Sequence, residues 1–301
     1  LLDKFAALAY DPRDCEFKSS DMSNPKCKIG FIGIGRMGEP MARNVLAAGF
    51  DLTAHDVRAE QVAKLVSLGA KAARSPKEVA QQGDIIELMV VDDAEVEAVL
   101  SGTDGVFDGA RPGNIVAIHS TVLPETVRRL AAMGAQKGIP VIDAPVSGGE
   151  AGARQKSLCY MVGGDVSLLE RCREVFSTSA AQLFHMGELG SGAAAKMIVQ
   201  VVTCINMLAA HEAEVVAARC GLDFKVVQTV LKHSAGQSFV LENWLDRFKL
   251  AGDPMATRQR RTEVFQKSLG PVLELARQLE WQLAGTELAE RSMARILGIE
   301  D

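Results

Sequence analysis

A chain of 301 residues exceeds what one minimal core needs, so two domains are expected, and 48% hydrophobic against 24% charged residues is the balance of an ordinary globular protein. A net charge of −5 argues against nucleic acid or an anionic membrane surface as the main partner. The six cysteines (Cys15, Cys27, Cys159, Cys172, Cys204, Cys220) form no CxxC pair and no His/Cys cluster at metal-ligand spacing, so they read as reduced thiols of a cytoplasmic protein without a metal site.

The N-terminus, "LLDKFAALAYDPRDCEFKSSD", lacks the basic n-region and small-residue cleavage site of a signal peptide. Two readings stay open for this extension, taken as residues 1–25: a short amphipathic helix over its first ten residues, or an upstream remnant ahead of Met22 as the native start. No apolar run along the chain approaches the roughly 18 uncharged residues that span a bilayer.

From residue 26 to 188 short β-branched or apolar runs alternate with helical patterns. The runs are "KIGFIGI" (28–34), "DLTAH" (51–55), "DIIELMVV" (84–91), "NIVAIHS" (114–120), "IPVIDA" (139–144) and "LCYMVGG" (158–164). Helical patterns lie between them at 37–48, 60–68, 94–100 and 124–135. Strands too apolar to keep a wet face, alternating with helices, predict a doubly wound parallel sheet covered on both sides, an α/β fold of Rossmann type. From residue 189 to 301 the strand signal is gone. Helices are expected at 192–220, 224–233, 238–250, 260–280 and 285–297, giving an all-helical second domain.

The first strand ends in Gly33-Ile34-Gly35-Arg36-Met37-Gly38, a GxGxxG that opens straight into a helix. Its glycines permit a tight turn and close backbone approach to a pyrophosphate, while the helix N-terminus supplies N–H donors. Asp56 lies 18 residues after Gly38 at the end of the second strand, where a carboxylate accepts hydrogen bonds from the adenosine ribose. That carboxylate repels a 2′-phosphate, so NAD is favoured and NADP stays possible. Arg58 reads first as a solvated loop charge and second as a partner for such a phosphate.

Further on, Ser147-Gly148-Gly149 at a strand end exposes a hydroxyl and successive N–H groups in one concavity, suited to a carboxylate without an arginine. Taken alone, it reads more readily as a plain loop. Lys196 then opens a long, almost wholly apolar helix in "GSGAAAKMIVQ" (190–200). A buried ammonium costs free energy unless it is paired or used, so either the stem packs while the head reaches water, or the amine has chemistry to do. Gln200 sits one turn later on the same face, and Thr203 continues that face. Met207 reads as packing.

The stretches "GFIGIGRMGEPMARNVLAAGF" (30–50), "STVLPETVRRLA" (120–131), "DAPVSGGEAGA" (143–153), "MVGGD" (161–165) and "GSGAAAKMIVQ" resemble, in order and spacing, the β-hydroxyacid dehydrogenases related to 3-hydroxyisobutyrate dehydrogenase and tartronate semialdehyde reductase. The resemblance covers roughly residues 28–300. It implies an active site in the cleft between the two domains, a homodimer or homotetramer built through the helical domains, and a small hydroxy acid as substrate. It also implies Lys196 as catalytic acid/base, with Ser147, Gly148 and Gly149 on the substrate carboxylate. Val90, Val91, Thr121 and Lys267 would then lie along the cofactor.

Many members carry Asn where this chain has Gln200. The glutamine, "HSAGQSFVLEN" (233–243) and "VFQKSLG" (264–270) look closer to the subgroup resembling L-threonate dehydrogenases, which implies a polyhydroxylated four-carbon acid as substrate, with Ser238 and Asn243 contacting it or shaping its pocket. Departures from the family are Lys156-Ser157-Leu158 after the serine–glycine loop, Val91-Asp92 for the usual Leu-Pro, and Lys267-Ser268-Leu269 for the late Lys-Asp-Leu. "RQRR" (258–261) reads first as a solvated basic face and second as a contact for an anionic substrate. Imine reductases and non-catalytic dinucleotide sensors of this fold are the alternatives, and they usually lack the lysine, so Lys196 argues against both. 6-Phosphogluconate dehydrogenase resembles the plan but has a far longer helical domain.

Overall fold

The computed structural model describes residues 27–249 and 254–299. The expectations for residues 1–25, including Met22 and Cys15, lie outside these residues. The first half carries β1 (Ile29–Ile32), α1 (Gly38–Ala47), β2 (Leu52–His55), α2 (Ala59–Val66), β3 (Lys71–Ala72), α3 (Pro76–Gln82), β4 (Ile85–Leu88), α4 (Asp93–Ser101), α5 (Val106–Gly109), β5 (Ile115–Ile118) and α6 (Pro124–Ala135). Then come β6 (Val141–Asp143), β7 (Val146–Ser147), α7 (Gly149–Arg154), β8 (Leu158–Gly163), α8 (Val166–Phe176) and β9 (Ala180–Gly187).

The sheet runs β3-β2-β1-β4-β5-β6-β8-β7, with β9 also on β8. Strands β1 to β6 are parallel in the order 3-2-1-4-5-6 of a Rossmann domain. The sheet is dominated by parallel pairs, as expected, and departs from them beyond β6. There β8 runs antiparallel to both β6 and β7, and β9 parallel to β8. The short α7 turns the chain back beside β7 instead of carrying it over the sheet, which reverses the strand. Every residue of β1, β4 and β5 is buried, as expected for strands covered on both faces. Helix β-face partners such as Val45, Leu65, Val127 and Phe176 close the two layers around them.

The second half is helical: α9 (Ser191–Arg219), α10 (Phe224–Lys232), α11 (Phe239–Glu242), a π-helical turn at Trp244–Lys249, α12 (Met255–Gln278), α13 (Ala284–Arg291) and α14 (Met293–Ile296). Its core gathers Met197, Met207, Trp244, Leu269 and Met293 around α9. Trp244, fully buried, keeps its indole N–H satisfied by donating to Glu214 Oε2 at 2.9 Å. The expected helix at 238–250 is thus broken into α11 and the π-turn. Ser238 caps α11 through its hydroxyl, and Asn243 Nδ2 donates back to Phe239 O, so the first helix stops there. By length and composition alone, α9 is long and apolar enough to cross a bilayer, contrary to the sequence count; 33% of its most apolar window is buried in this fold.

Candidate active site

The glycine turn joins β1 to α1, at the point where β1 has β2 on one side and β4 on the other. A Cβ on Gly38 would stand 1.9 Å from Gly33 O, so only glycine lets the helix start this close to the strand. Gly33 N donates to His55 O at 3.0 Å, and Glu39 N to Gly35 O at 2.9 Å. Asp56 follows β2 directly. One of its oxygens accepts from Ile34 N at 2.7 Å, and the other accepts from Arg58 N at 2.8 Å and Arg58 Nε at 3.1 Å. Burial pushes this carboxyl upward, yet the hydrogen bonds from Arg58 and Ile34 outweigh it and hold the group below the usual carboxylate range. Asp56 is therefore a fixed anion beside the turn, partly neutralised by Arg58. Arg58 is thus a partnered group on the turn's side; its guanidinium comes 3.9 Å from where a Gly35 Cβ would be.

The turn, its glycines and this anion fit a dinucleotide. Around them, Val90 exchanges two hydrogen bonds with Ser120, its N–H donating to Oγ at 2.9 Å and Oγ donating to its carbonyl at 2.9 Å. That clip holds the ends of β4 and β5 together, with Thr121 half-buried next in the chain. Val91 is largely exposed, and its N–H donates to Glu95. The departure at Val91-Asp92 has a local cause: Asp92 accepts from Glu95 N at 3.0 Å and caps α4.

The start of α9 lies against β8 more closely than ordinary helix–sheet packing permits. A Cβ on Gly192 would meet Met161 O at 2.3 Å and Asp143 Oδ2 at 2.9 Å. Asp143, 1% exposed, is the pin: its two oxygens accept from Gly190 N and Ala193 N at 2.8 Å each. It ends β6 and caps α9, so the sheet and the long helix share one buried anion at the helix's positive end. Burial raises its pKa, and the backbone N–H donors counter this. Sequence reading missed Asp143; a strand-end acid just before the serine–glycine loop was the available signal.

One turn further, Lys196 is 9% exposed and, among the described residues, its amine has no hydrogen-bond partner. Desolvation lowers its pKa from 10.5 to about 8, with Cys159 and Cys204 working weakly in the other direction. The stem is thus packed away, while the amine is not among the fully buried unpartnered polar atoms, so its position fits both the snorkelling reading and an amine with chemistry to do. Gln200 stays half-buried on the same helix face, while Thr203 spends its hydroxyl on Val199 O at 2.8 Å.

Ser147 ends β7 directly opposite Cys159 of β8. The chain then turns through positive φ at Gly148 (133°) and Gly149 (63°) into α7. Two side chains tie this loop to distant segments. Arg36 of the glycine turn donates to Glu150 Oε2 at 2.9 Å. Arg247 of the π-turn donates to Gly148 O at 3.3 Å, bringing a guanidinium from the helical part to a loop read as needing none. Ser238 has its hydroxyl engaged as a cap, and Lys267 is exposed on α12; among the described residues, no hydrogen bond or ion pair joins either to Lys196 or to the glycine turn.

A glycine turn for phosphates, a ribose-side acid and a buried amine carried by a helical second part define a dinucleotide-dependent oxidoreductase architecture. Comparison with known proteins narrows this. Residues 28–187 match the NAD binding domain of 6-phosphogluconate dehydrogenase, and residues 190–298 match the NAD-binding region of NADP-dependent 3-hydroxyisobutyrate dehydrogenase. The chain is 34% identical over 278 residues to 2-(hydroxymethyl)glutarate dehydrogenase of Eubacterium barkeri, covering 91% of this chain and 92% of the relative. It is 33% identical over 256 residues to L-threonate dehydrogenase of Cupriavidus necator, covering 85% of each. Among solved structures, 3-hydroxyisobutyrate dehydrogenase of Mycobacterium tuberculosis with L-serine superposes with a TM-score of 0.78 at 26% identity, over 89% of this chain and 93% of that one. The chain belongs to the β-hydroxyacid dehydrogenase family, whose members bind NAD or NADP.

Proposed function

We propose that this protein transfers a hydride between a nicotinamide cofactor and a β-hydroxy or polyhydroxy carboxylic acid, with Lys196 as the proton-transferring group. The observation that carries the reading is Lys196, a residue 9% exposed whose amine has no hydrogen-bond partner among the described residues and whose pKa desolvation lowers to about 8. Gly33 to Gly38 cradle the pyrophosphate, Asp56 faces the adenosine ribose, and Val90, Val91, Thr121 and Lys267 line the remainder. When bound, the nicotinamide supplies the hydride acceptor or donor.

Ser147, Gly148 and Gly149 anchor the carboxylate, so that the substrate hydroxyl lies toward α9. As neutral amine, Lys196 takes the hydroxyl proton as the carbinol is oxidised; as ammonium, it returns that proton when the carbonyl is reduced. Gln200 orients the hydroxyl or the amine, and Ser238 and Asn243 shape the pocket through the turn they cap. The relatives named for 2-(hydroxymethyl)glutarate and L-threonate support a substrate with a hydroxyl near a carboxylate and further oxygens beyond it. Because the Asp56 carboxylate repels a 2′-phosphate, NAD is preferred, and because Arg58 partly neutralises it, NADP is tolerated.

The helical half also supports assembly as a homodimer or homotetramer. Ile198 and Val202 on α9, with Val226 and Val230 on α10, are each more than half exposed, at spacings that line up apolar faces. The test of function is turnover of purified protein with NAD or NADP and a panel of 3-hydroxyisobutyrate, L-serine and L-threonate, followed by NADH absorbance. Turnover that disappears in Lys196→Ala while cofactor binding survives supports the reading. Cofactor binding without turnover on any panel acid, or undiminished turnover in Lys196→Ala, overturns it.

A further inference from the structure

Cys159 is one of six cysteines scattered along the sequence, and the fold gives it a particular position. In the antiparallel β7–β8 pair, Cys159 is the cross-strand partner of Ser147, and directly opposed residues project to the same face of a sheet. Their neighbours, Val146 and Tyr160, pair the same way and are buried in the Rossmann core, with Tyr160 stacked on Phe176. Alternation along the strand therefore turns Ser147 and Cys159 away from that core, and both are only half-buried.

Helix α9 packs on β8, drawn in by the bare backbone of Gly192 against Met161 O. Lys196 lies one turn beyond, and Cys159 is the first of the charges-in-waiting that its amine senses; the other, Cys204, is fully buried within the helical core. Lys196 is a buried residue, its amine makes no hydrogen bond among the described residues, and both thiols are near enough to act on its charge.

We infer that the Cys159 thiol is part of the substrate site, forming the wall between the Ser147 carboxylate anchor and the Lys196 amine, and that thiol modification at this point closes the site. The inference rests on the proposed function and adds one specificity-determining residue to it. A thiol is small and neutral here. Burial raises its pKa and the lysine opposes this only in part, so it remains largely protonated near neutrality and leaves the amine without an anionic partner. The reactive form is the minority thiolate, so modification proceeds slowly and accelerates as pH rises.

The probe is methyl methanethiosulfonate. The Cys159 thiolate attacks the sulfenyl sulfur, an S–S bond to the methylthio group forms, methanesulfinate leaves, and the thiol proton passes to solvent. Dithiothreitol reverses the adduct by exchange. Labelling is read by peptide mass spectrometry, which separates Cys159 from exposed Cys220 and from the other thiols, and it is independent of activity. The expected result is that NAD together with the panel acid of highest turnover slows labelling of Cys159 about tenfold or more while Cys220 is unaffected, and that activity falls in step with Cys159 labelling and returns with dithiothreitol.

Whatever activity Cys159→Ser retains should be insensitive to the reagent. Cys159→Met, which builds the bulk of the methylthio adduct permanently, should raise KM for the acid about tenfold or more with KM for NAD unchanged. Equal labelling with and without acid, or a Cys159→Met enzyme with unaltered KM for the acid, overturns the inference while leaving a Lys196-dependent enzyme intact. Absence of turnover on every acid, with no protection by any of them, defeats both readings together.

Discussion

Replacing Lys196 by Met should make the protein inactive and more stable. The amine's pKa falls from 10.5 to about 8 because the ammonium is desolvated on α9. A lysine depressed in the folded state is a liability below its folded pKa, where both states carry the proton and the native state holds a charge it cannot solvate. As pH climbs from 8 toward 10.5, the native amine gives up its proton before the unfolded one does, so the unfolded chain binds more protons and stability rises with pH. The difference between 10.5 and about 8 corresponds to about 3 kcal/mol at pH 7. Methionine matches the stem's length and carries no charge, so Lys196→Met should recover much of that amount at pH 7 and little at pH 10.5. Urea melts of both proteins at the two pH values measure it, with turnover assayed alongside. Wild-type kcat/KM for oxidation should fall tenfold per pH unit below a limb near 8, a limb that the mutant cannot show. A mutant less stable than wild type at pH 7, or one whose stability gap is the same at both pH values, would refute the burial argument.

Other outcomes follow from the same contacts. Asp143→Asn puts an NH2 against one of the two N–H donors at the start of α9; it should cost about 1–3 kcal/mol in urea melts and lower kcat more than cofactor affinity. Asp56→Ala should narrow the preference for NAD over NADP, measured as the ratio of kcat/KM values, and an unchanged ratio would remove Asp56 from the ribose site. Ser147→Ala should raise KM for the acid severalfold more than KM for NAD; equal effects would exclude it as the carboxylate anchor. Light scattering should give a mass of at least two chains, and Val202→Glu together with Val230→Glu should shift it toward one.

Much of the architecture was legible because its causes are local. Apolar runs without alternation mark strands buried on both faces, and each of the helices expected at 37–48, 94–100 and 124–135 ends within two residues of its observed limit. What escaped was set by contacts distant in sequence. The partly exposed β9 and the reversal of β8 depend on pairing and not on pattern, since β8 is as apolar as a parallel strand. The break between α11 and the π-turn hides inside a continuous helical periodicity until Ser238 and Asn243 are seen bonding the backbone.

The same division runs through the candidate site. Glycines and Lys196 announce themselves by type and spacing, because a turn that must approach a phosphate or another backbone tolerates little else. Asp143, Cys159 and Arg247 carry no such signature: an acid at a strand end, a thiol in a buried strand and an arginine on a helix are each commonplace. They acquire meaning only when Gly192 lets α9 settle onto β8. That single close approach joins the sheet to the helical half, fixes Asp143 under the helix start, and seats α9 on the strand that bears Cys159. Moving α9 outward by the width of one methyl group would leave every motif in the sequence intact, yet Lys196 would regain water and with it an ordinary pKa. The proposed chemistry therefore depends on the bare backbone four residues before the lysine as well as on the lysine itself.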